Sequence, residues 1–230
     1  MKKKTLKKIP KLHVKIEAIQ EQIGQRKYLL VEGASTVTIN AELAELESQM
    51  QAILDKKRAV QRYQKTLDMG SVEPFNDAEE ARVSLGYIKR LWNSLHVWQE
   101  NIEKWVGCPF EEIDIETILE QSTQHSKTVL ICERNLPDDS TAVHRLKKLV
   151  FDFKETMPIV EALGNKYLNP VHWEEIKAIL GTPSFPLEAK QFSLGELVGL
   201  NVAKYADEIV NVSVTATQEF NLQAQLDQLT

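Results

Sequence analysis

The amino-acid sequence predicts an all-α protein, an elongated array of antiparallel helices in which a helical hairpin is followed by a helical bundle. Two observations lead to this prediction. Apolar residues recur at alternating steps of three and four along almost every long segment of the 230 residues, which is the spacing of one helix face. Glycine and proline residues separate those segments. Only the stretch 127–132 has a pattern that leaves helix or strand open.

The first two helices form the predicted hairpin, which covers residues 11–68. Gly33 is expected to stop the first helix, and Ser35 or Thr36 to cap the second. A connection this short favours antiparallel neighbours. Each helix presents an apolar seam of the kind that packs against a partner helix. The seams are Leu12, Ile16, Ile19, Ile23 and Leu30 in the first helix, and Ile39, Leu43, Leu46, Met50, Ile53, Val60 and Leu67 in the second.

A long third helix is predicted over 77–106, after a break that contains Gly70 and Pro74. Three tryptophans on its apolar side bring a large area that favours packing against other helices over a ligand cage. The helix is expected to end before Pro109, which cannot continue it. Its apolar stripe is Ala81, Leu85, Ile88, Trp92, Leu95, Trp98, Ile102 and Trp105.

The remaining helices are predicted from proline, glycine and capping residues. A fourth helix covers 114–135, and a fifth runs to 163 with a bend or restart at Pro158. Asn169-Pro170 is a helix start and Gly181 a helix stop. A loop is predicted over 182–190, a capping box between Ser193 and Glu196, and a last helix over 204–229.

The charge of the chain excludes some classes of partner. The net charge is −5 and the pI about 5.7, so there is no general basic field for nucleic acid. There is also no apolar run of the length that a membrane span or a signal peptide requires. We therefore predict neither nucleic acid nor a membrane among the partners.

Seven lysines depart from this acidic average within the first fifteen residues. Three interpretations stay open: a solvated terminus, a contact with an acidic partner, and a membrane-surface or targeting segment. The lysines are Lys2, Lys3, Lys4, Lys7, Lys8, Lys11 and Lys15.

The chain lacks the motifs of nucleotide and metal chemistry. Neither a G-x-x-x-x-G-K-[ST] phosphate loop nor a G-x-G-x-x-G or H-E-x-x-H motif occurs. Cys108 and Cys132 have no metal-ligand spacing, so we predict reduced thiols, with a disulfide between them as the open alternative. We predict no catalytic residue, cofactor or metal in this segment.

His172 is the one candidate for catalysis, because Glu174 and Glu175 follow it and suggest a metal ligand or an acid–base pair. However, neighbouring helix positions point apart, and only residues three or four apart share a face. We therefore expect His172 to order the start of a short helix, with Trp173 in the core.

Four motifs follow a tryptophan-bearing helix that carries Leu91, Trp92 and Trp98. They are F-K-E-T-M-P-I-V-E-A-L at 153–163, N-K-Y-L-N-P-V-H-W at 165–173, F-S-L-G-E-L-V-G-L-N-V at 192–202 and A-T-Q-E-F-N-L at 216–222. Their order and spacing within residues 75–230 resembles the linker region of dynein heavy chains. The residues that mark the resemblance are Pro158, Pro170, His172, Trp173, Leu194 and Glu219.

The resemblance implies two regions and a mechanical function. Residues 1–74 would be a hairpin like the neck that leads from the tail, and residues 75–230 the N-terminal part of the linker bundle. In that family the linker is a non-catalytic lever. It changes conformation over the AAA+ ring and drives movement along microtubules. Three glycines at predicted helix ends are candidate hinges: Gly107, Gly164 and Gly181.

The resemblance also implies partners and a location. The AAA+ ring of the same heavy chain would be the main partner, and other dynein chains would contact the neck. ATP and Mg would bind to later modules of the parent motor, a microtubule-dependent ATPase. The location would be cytoplasmic or cytoskeletal. The axoneme of a cilium or flagellum is preferred, because L-G-E-L-V-G-L-N-V is closer to axonemal than to cytoplasmic dyneins. The alternative function is a helical scaffold that binds partner helices through the hairpin.

Overall fold

The computed structural model describes residues 6–182, 192–200 and 202–227. Its described part contains helices and one isolated bridge, without a β-strand, which confirms the all-α prediction. Three short 3-10 turns, Arg26–Tyr28, Phe110–Glu112 and Val202–Tyr205, join the helices. The helices are α1 (Lys8–Ile23), α2 (Thr36–Thr66), α3 (Asn76–Gly107), α4 (Ile115–Asn135), α5 (Thr141–Lys154), α6 (Met157–Gly164), α7 (Pro170–Leu180), α8 (Leu194–Gly199) and α9 (Ala206–Asp227).

The chain divides into two compact units. Unit 1 comprises residues 1–97 and 127–147, and unit 2 comprises residues 98–126 and 148–230. The boundary between the neck-like and linker-like regions, drawn between residues 74 and 75, stays a prediction. The predicted loop falls mainly outside the described residues, and so does Leu229.

In unit 1, α1 and α2 pack through the predicted seams. Leu12, Ile16, Ile19 and Ile23 of α1 are buried, as are six of the seven seam residues named for α2. The Ser35 side chain caps α2 by accepting a hydrogen bond from the N–H of Thr38 at 3.4 Å. The predicted hairpin therefore forms.

The prediction that Gly33 ends the first helix is wrong. Helix α1 stops ten residues earlier, at Ile23, and Gly33 lies in the connection with φ +70°. The residue at the C-cap of α1 is Gly24, a local stop signal that the apolar spacing through Leu30 does not take into account. Tyr28 is buried, and its carbonyl accepts a hydrogen bond from Trp92 Nε1 of α3 at 2.8 Å. Leu30, expected on the seam, is only half-buried.

Helix α3 contacts both helices of the hairpin within unit 1. Asn40 of α2 donates to the carbonyl of Trp92 at 3.1 Å. On the α1 side, Gln20 donates to the carbonyl of Asp77 at 3.3 Å, and the Asp77 carboxylate lies 2.5 Å from His13 Nδ1. These bonds fix α3 across the hairpin because two of them reach α1 and the third reaches α2.

Cys132 is a fully buried thiol of unit 1, and both cysteines are free. Burial raises the pKa of Cys132 to about 11, against a slight lowering by the Arg90 guanidinium. The unfolded thiol ionises first, near its ordinary value of 9.0. Between these two values the unfolded state holds fewer protons, so ionisation lowers stability as the pH rises.

We expect Cys132→Val to lose stability less steeply than the parent chain between neutral pH and the upper of these pKa values. Valine has a similar volume and no proton to lose. Urea midpoints measured across that pH range check the prediction, and Cys108→Val is the control at the half-buried thiol. Identical pH slopes for the Cys132 variant and the parent would contradict it.

In unit 2, aromatic residues fill the space between the end of α3 and its neighbours. The Trp98 ring meets the rings of Trp105, His125 and Phe153 edge-on, at centroid distances of 5.0–5.8 Å. Helix α5 ends at Lys154 and α6 begins at Met157, so Pro158 restarts the helix as predicted. Helix α9 packs against both α6 and α7.

Candidate functional site: the contact of helices α6, α7 and α9

The start of α7 is a capping box built from Asn169 and His172. The Asn169 side-chain oxygen accepts the N–H groups of Val171 at 3.0 Å and of His172 at 3.2 Å. In return, His172 Nδ1 accepts the N–H of Asn169 at 3.2 Å. Pro170 occupies the first helical position, where its missing N–H leaves no bond unmade. The prediction that His172 orders this helix start is confirmed, and Trp173 is buried beside it.

The second ring nitrogen of His172 faces helix α9. Because Nδ1 accepts a hydrogen bond, the neutral imidazole carries its proton on Nε2. That nitrogen lies 3.2 Å from a carboxylate oxygen of Glu219. The His172 side chain is 5% exposed and that of Glu219 is 58% exposed, so the carboxylate keeps its hydration while it accepts the bond. Both nitrogens of His172 are therefore used in structural hydrogen bonds.

Asn165 and Tyr167 make two further contacts with the same helix. The Asn165 amide lies 2.9 Å from three acceptors, namely the carbonyl and hydroxyl of Ser213 and the hydroxyl of Thr217. The side-chain carbonyl of Asn165 accepts the N–H of Tyr167 at 3.0 Å, which orients the backbone between Asn165 and Tyr167. The Tyr167 ring then stacks on Phe220 with centroids 4.1 Å apart.

We call this set of contacts the clasp. It joins Asn165, Tyr167 and His172, which lie before and in the first turn of α7, to Ser213, Thr217, Glu219 and Phe220 of α9. Two of the motifs singled out in the sequence, 165–173 and 216–222, thus meet in the structure. A surface cavity of about 430 Å³ beside the clasp, between α6 and α9, is bounded by Pro158.

A second junction joins the end of α3 to the start of α8. Pro109 and Ser193 form an isolated antiparallel bridge, and the N–H of Phe110 donates to the carbonyl of Phe192 at 2.8 Å. The rings of those two phenylalanines stack with centroids 4.8 Å apart. Next to them, Leu194 is fully buried. The start of the motif at 192–202 therefore fixes α8 to the segment that follows α3.

The predicted capping box at the start of α8 is confirmed. Glu196 N–H donates to Ser193 Oγ at 3.2 Å, and the Glu196 carboxylate accepts the N–H of Ser193 at 2.7 Å. Gly195 lies in the first turn, against α3. A Cβ placed on it would lie 2.5 Å from Val106 Cγ1 and 3.0 Å from the Val106 carbonyl. The absence of a side chain at Gly195 therefore permits the close approach of the two helices.

Comparison with known proteins places this arrangement in a family. Residues 78–230 match the family described as dynein heavy chain, N-terminal region 2. The chain belongs to this family. It is an N-terminal region of a dynein heavy chain, and both junctions lie within the matched residues.

Individual relatives agree with the family match. Dynein axonemal heavy chain 6 of Homo sapiens is 30% identical over 171 residues, which is 74% of this chain and 4% of the relative. Dynein-1-beta heavy chain, flagellar inner arm I1 complex, of Chlamydomonas reinhardtii is 24% identical over 180 residues, 77% of this chain and 4% of the relative. Dynein axonemal heavy chain 8 of Homo sapiens is 26% identical over 159 residues, which is 68% of this chain and 4% of the relative. The chain thus spans 4% of the length of these curated relatives.

The three candidate hinges of this dynein segment lie in different surroundings. Gly107 ends α3, and a Cβ on it would meet nothing within 4 Å. Gly164 ends α6 beside Ile115, whose Cδ1 would lie 2.6 Å from such a Cβ. Gly181 ends α7 as predicted, with the left-handed φ of +66°. Their role as hinges stays a prediction.

Asn165 and Gly195 are the residues whose roles the sequence did not reveal. Asn165 looks like part of a helix stop after Gly164, and it does follow the end of α6. Its partners on α9 lie 48 and 52 residues further along the chain, so no local spacing points to them. Gly195 falls inside a motif of the dynein resemblance, which is the one signal that could have drawn attention to it.

The described residues of the dynein segment were compared with the requirements of a metal site and of a membrane span. Over that part of the chain, no three His, Cys, Asp or Glu side chains come together in a way that could hold a metal ion. Across residues 6–182, 192–200 and 202–227, no helix combines the length and apolar character that a membrane crossing needs.

We expect His172→Ala to lower the free energy of unfolding by about 1–2 kcal/mol, because the acceptor for the Asn169 N–H is lost. Glu219→Gln is the matched variant. It keeps an acceptor for Nε2–H on an exposed side chain, so we expect it to be nearly neutral. Urea unfolding followed by circular dichroism checks both. Loss of a metal-dependent or hydrolytic activity in His172→Ala at unchanged stability would contradict the structural role.

We expect Asn165→Asp to destabilise the chain as much as Asn165→Ala does, by about 1–2 kcal/mol. The aspartate has the shape of asparagine and retains the acceptor for the Tyr167 N–H, but it cannot donate to α9. Comparing the two variants by thermal unfolding therefore isolates the donor bonds to Ser213 and Thr217. A neutral effect of the aspartate would mean that those bonds contribute nothing.

Proposed function

We propose that this chain is a non-catalytic mechanical segment of a dynein motor, the N-terminal part of the linker. In this function the segment acts as a lever that changes conformation over the AAA+ ring and drives movement along microtubules. The observation that supports the proposal is the clasp. It connects α7 and the residues just before it to α9, within the family-matched region, through an amide, an aromatic stack and a histidine–carboxylate pair. Contacts of this kind allow force on one helix to be transmitted to another that is distant in sequence.

The proposal assigns the energy source to other parts of the motor. ATP and Mg bind to the ring modules of the same heavy chain, and the segment itself has no phosphate loop. The ring is its principal partner, and residues 1–74 are a neck through which other dynein chains make contact. We place the motor in the axoneme of a cilium or flagellum, which agrees with the axonemal and flagellar names of the relatives.

Conformational change in a lever requires positions where the backbone turns. Of the three candidate glycines, Gly107 is well suited because a Cβ on it would meet nothing within 4 Å. Gly164 is less suited because Ile115 packs directly against it. Gly181 already adopts a left-handed conformation that glycine reaches without strain. Replacement of Gly107 by alanine should therefore affect movement more than it affects stability.

A motility assay on the complete heavy chain tests the lever. We expect Asn165→Asp to slow microtubule gliding, while ATP turnover by the ring is retained. Gln218→Ala is the control, because Gln218 lies on the exposed face of α9 beside the clasp. Unchanged gliding by a motor whose clasp is demonstrably weakened would contradict the proposal.

The alternative function is a helical scaffold that binds partners through the hairpin, and the sequence downstream of Thr230 distinguishes it from a motor. A motor requires the reading frame to continue into successive phosphate loops. Genomic or transcript sequence of that downstream region is the measurement. Continuation without phosphate loops would favour the scaffold.

A further inference from the structure

The outer face of the hairpin in unit 1 carries an open apolar groove between α1 and α2. Its floor consists of Leu12, Ala59, Val60 and Tyr63, and the first cavity along it has a volume of about 280 Å³. A second cavity of about 300 Å³ continues the groove past Ala18 and Ala52. Lys15 and Lys56 line both cavities, so the two form one continuous feature.

Lysines surround the first cavity. Lys8, Lys11 and Lys15 stand on α1, one turn apart, and Lys56 stands opposite them on α2. All four are exposed, and none forms an ion pair with another residue of the described chain. This concentration of positive charge contrasts with a net charge of −5 for the whole chain. We call the feature the lysine-rimmed groove.

We propose that the lysine-rimmed groove binds an acidic amphipathic α-helix of a partner protein. Such a helix would place its apolar face on the floor and its carboxylates beside the lysines. Between Lys8 and Gln22, which line the two ends of the groove, α1 rises about 21 Å. A partner helix of about four turns has that length. Helix-in-groove binding places apolar anchor residues three or four positions apart along one face of such a helix.

The depth of the floor argues against a flat partner, and the surrounding lysines argue against a basic one. Leu12 is 5% exposed and Val60 is 2% exposed, so only a convex partner with protruding side chains reaches them. A lipid surface requires several apolar residues that project from the protein, and of the four floor residues only Tyr63 is as much as half exposed. A second copy of the chain would bring an identical set of lysines against the first, and like charges at close range are repulsive. This inference does not depend on the proposed motor function.

Binding of a designed peptide to the 230-residue chain tests the proposal. The probe is a fluorescein-labelled helix of about 15 residues, with leucines on one face and glutamates flanking them. A matched peptide carries lysine at every glutamate position. Fluorescence anisotropy should detect binding of the acidic peptide, weakening with added salt, and none of the basic peptide. Equal binding of both peptides would overturn the charge complementarity, and binding of neither would overturn the site.

Two variants within the groove and one control outside it locate the binding. We expect Lys11→Glu combined with Lys15→Glu to weaken the acidic peptide at least about tenfold. Lys148→Glu reverses the charge of an exposed lysine on α5, outside the groove, and should leave the affinity for the acidic peptide unchanged. Tyr63→Ala removes half-exposed floor area without opening the core and should also weaken binding. Circular dichroism confirms that each variant is folded.

Other occupants give distinct results. Sedimentation with phosphatidylserine vesicles but no peptide binding would overturn the proposal in favour of a membrane surface. Concentration-dependent self-association that the Lys11 and Lys15 reversal abolishes, without peptide binding, would overturn it in favour of a second copy. Equal loss of peptide affinity in the Lys148 control would also overturn it, because the effect would then be one of net charge.

Discussion

Trp98→Ala is expected to lower the free energy of unfolding by about 3–5 kcal/mol, the range for removing a large aromatic side chain from a core. Trp98 is 1% exposed and meets three other rings, so replacing it by alanine leaves a buried cavity between those rings. Chemical denaturation followed by near-ultraviolet circular dichroism measures the change. A loss below about 1 kcal/mol would contradict the central position of this ring.

Trp98→Phe sharpens the same prediction. The indole Nε1 of Trp98 is buried and has no hydrogen-bond partner among the described residues. A buried donor left unpaired costs about 1–3 kcal/mol, and phenylalanine does not carry it. This gain offsets most of the lost volume, so we expect the phenylalanine variant to be within about 1 kcal/mol of the parent chain. Losses of equal size in the two variants would show that Nε1 is satisfied in solution.

Gly195→Val is expected to destabilise unit 2 by about 1–3 kcal/mol through overpacking. The new side chain would collide with both the Cγ1 and the carbonyl of Val106, and the carbonyl belongs to the backbone of α3. Val106→Ala should rescue the variant only in part, since it removes the first collision and leaves the second. A double-mutant cycle measured by urea unfolding gives the coupling between the two positions.

Gly199→Ala is the control for the glycine prediction. Gly199 lies in the same short helix, and a Cβ on it would meet nothing within 4 Å. Alanine there should be neutral or slightly stabilising, because it lowers the conformational entropy of the unfolded chain. Equal destabilisation at both glycines would indicate that helix α8, rather than its contact with α3, is sensitive to substitution.

Local chemistry made much of the fold predictable. Ser35, Asn169, Ser193 and Gly181 each act within three or four residues of their own position, and the structure has a helix start or stop at each. The apolar seams were predictable for a similar reason, since one side of each long helix is buried. Pro158 restarts a helix through its own ring geometry.

Contacts between distant segments limited the prediction of the site. The clasp depends on Asn165 and residues of α9 that local spacing cannot relate to it. The close approach at Gly195 depends on the position of Val106, which belongs to a helix almost ninety residues earlier. The connection between α1 and α2 likewise contacts Trp92, whose Nε1 donates to the Tyr28 carbonyl. In each case a tertiary partner, absent from the local pattern, determines the structure.

The clasp has a directional consequence for how unit 2 bears load. Its contacts on α9 run from Ser213 to Phe220, a rise of about 10 Å along the helix axis. Tension applied along that axis strains the amide bonds, the ring stack and the carboxylate pair together, so all must rupture at once. Tension applied across the axis at one end strains them in succession, and each breaks alone. The joint is therefore stiff in shear and weak in peeling, which makes the direction of pull, as much as its size, the condition for separating α7 from α9.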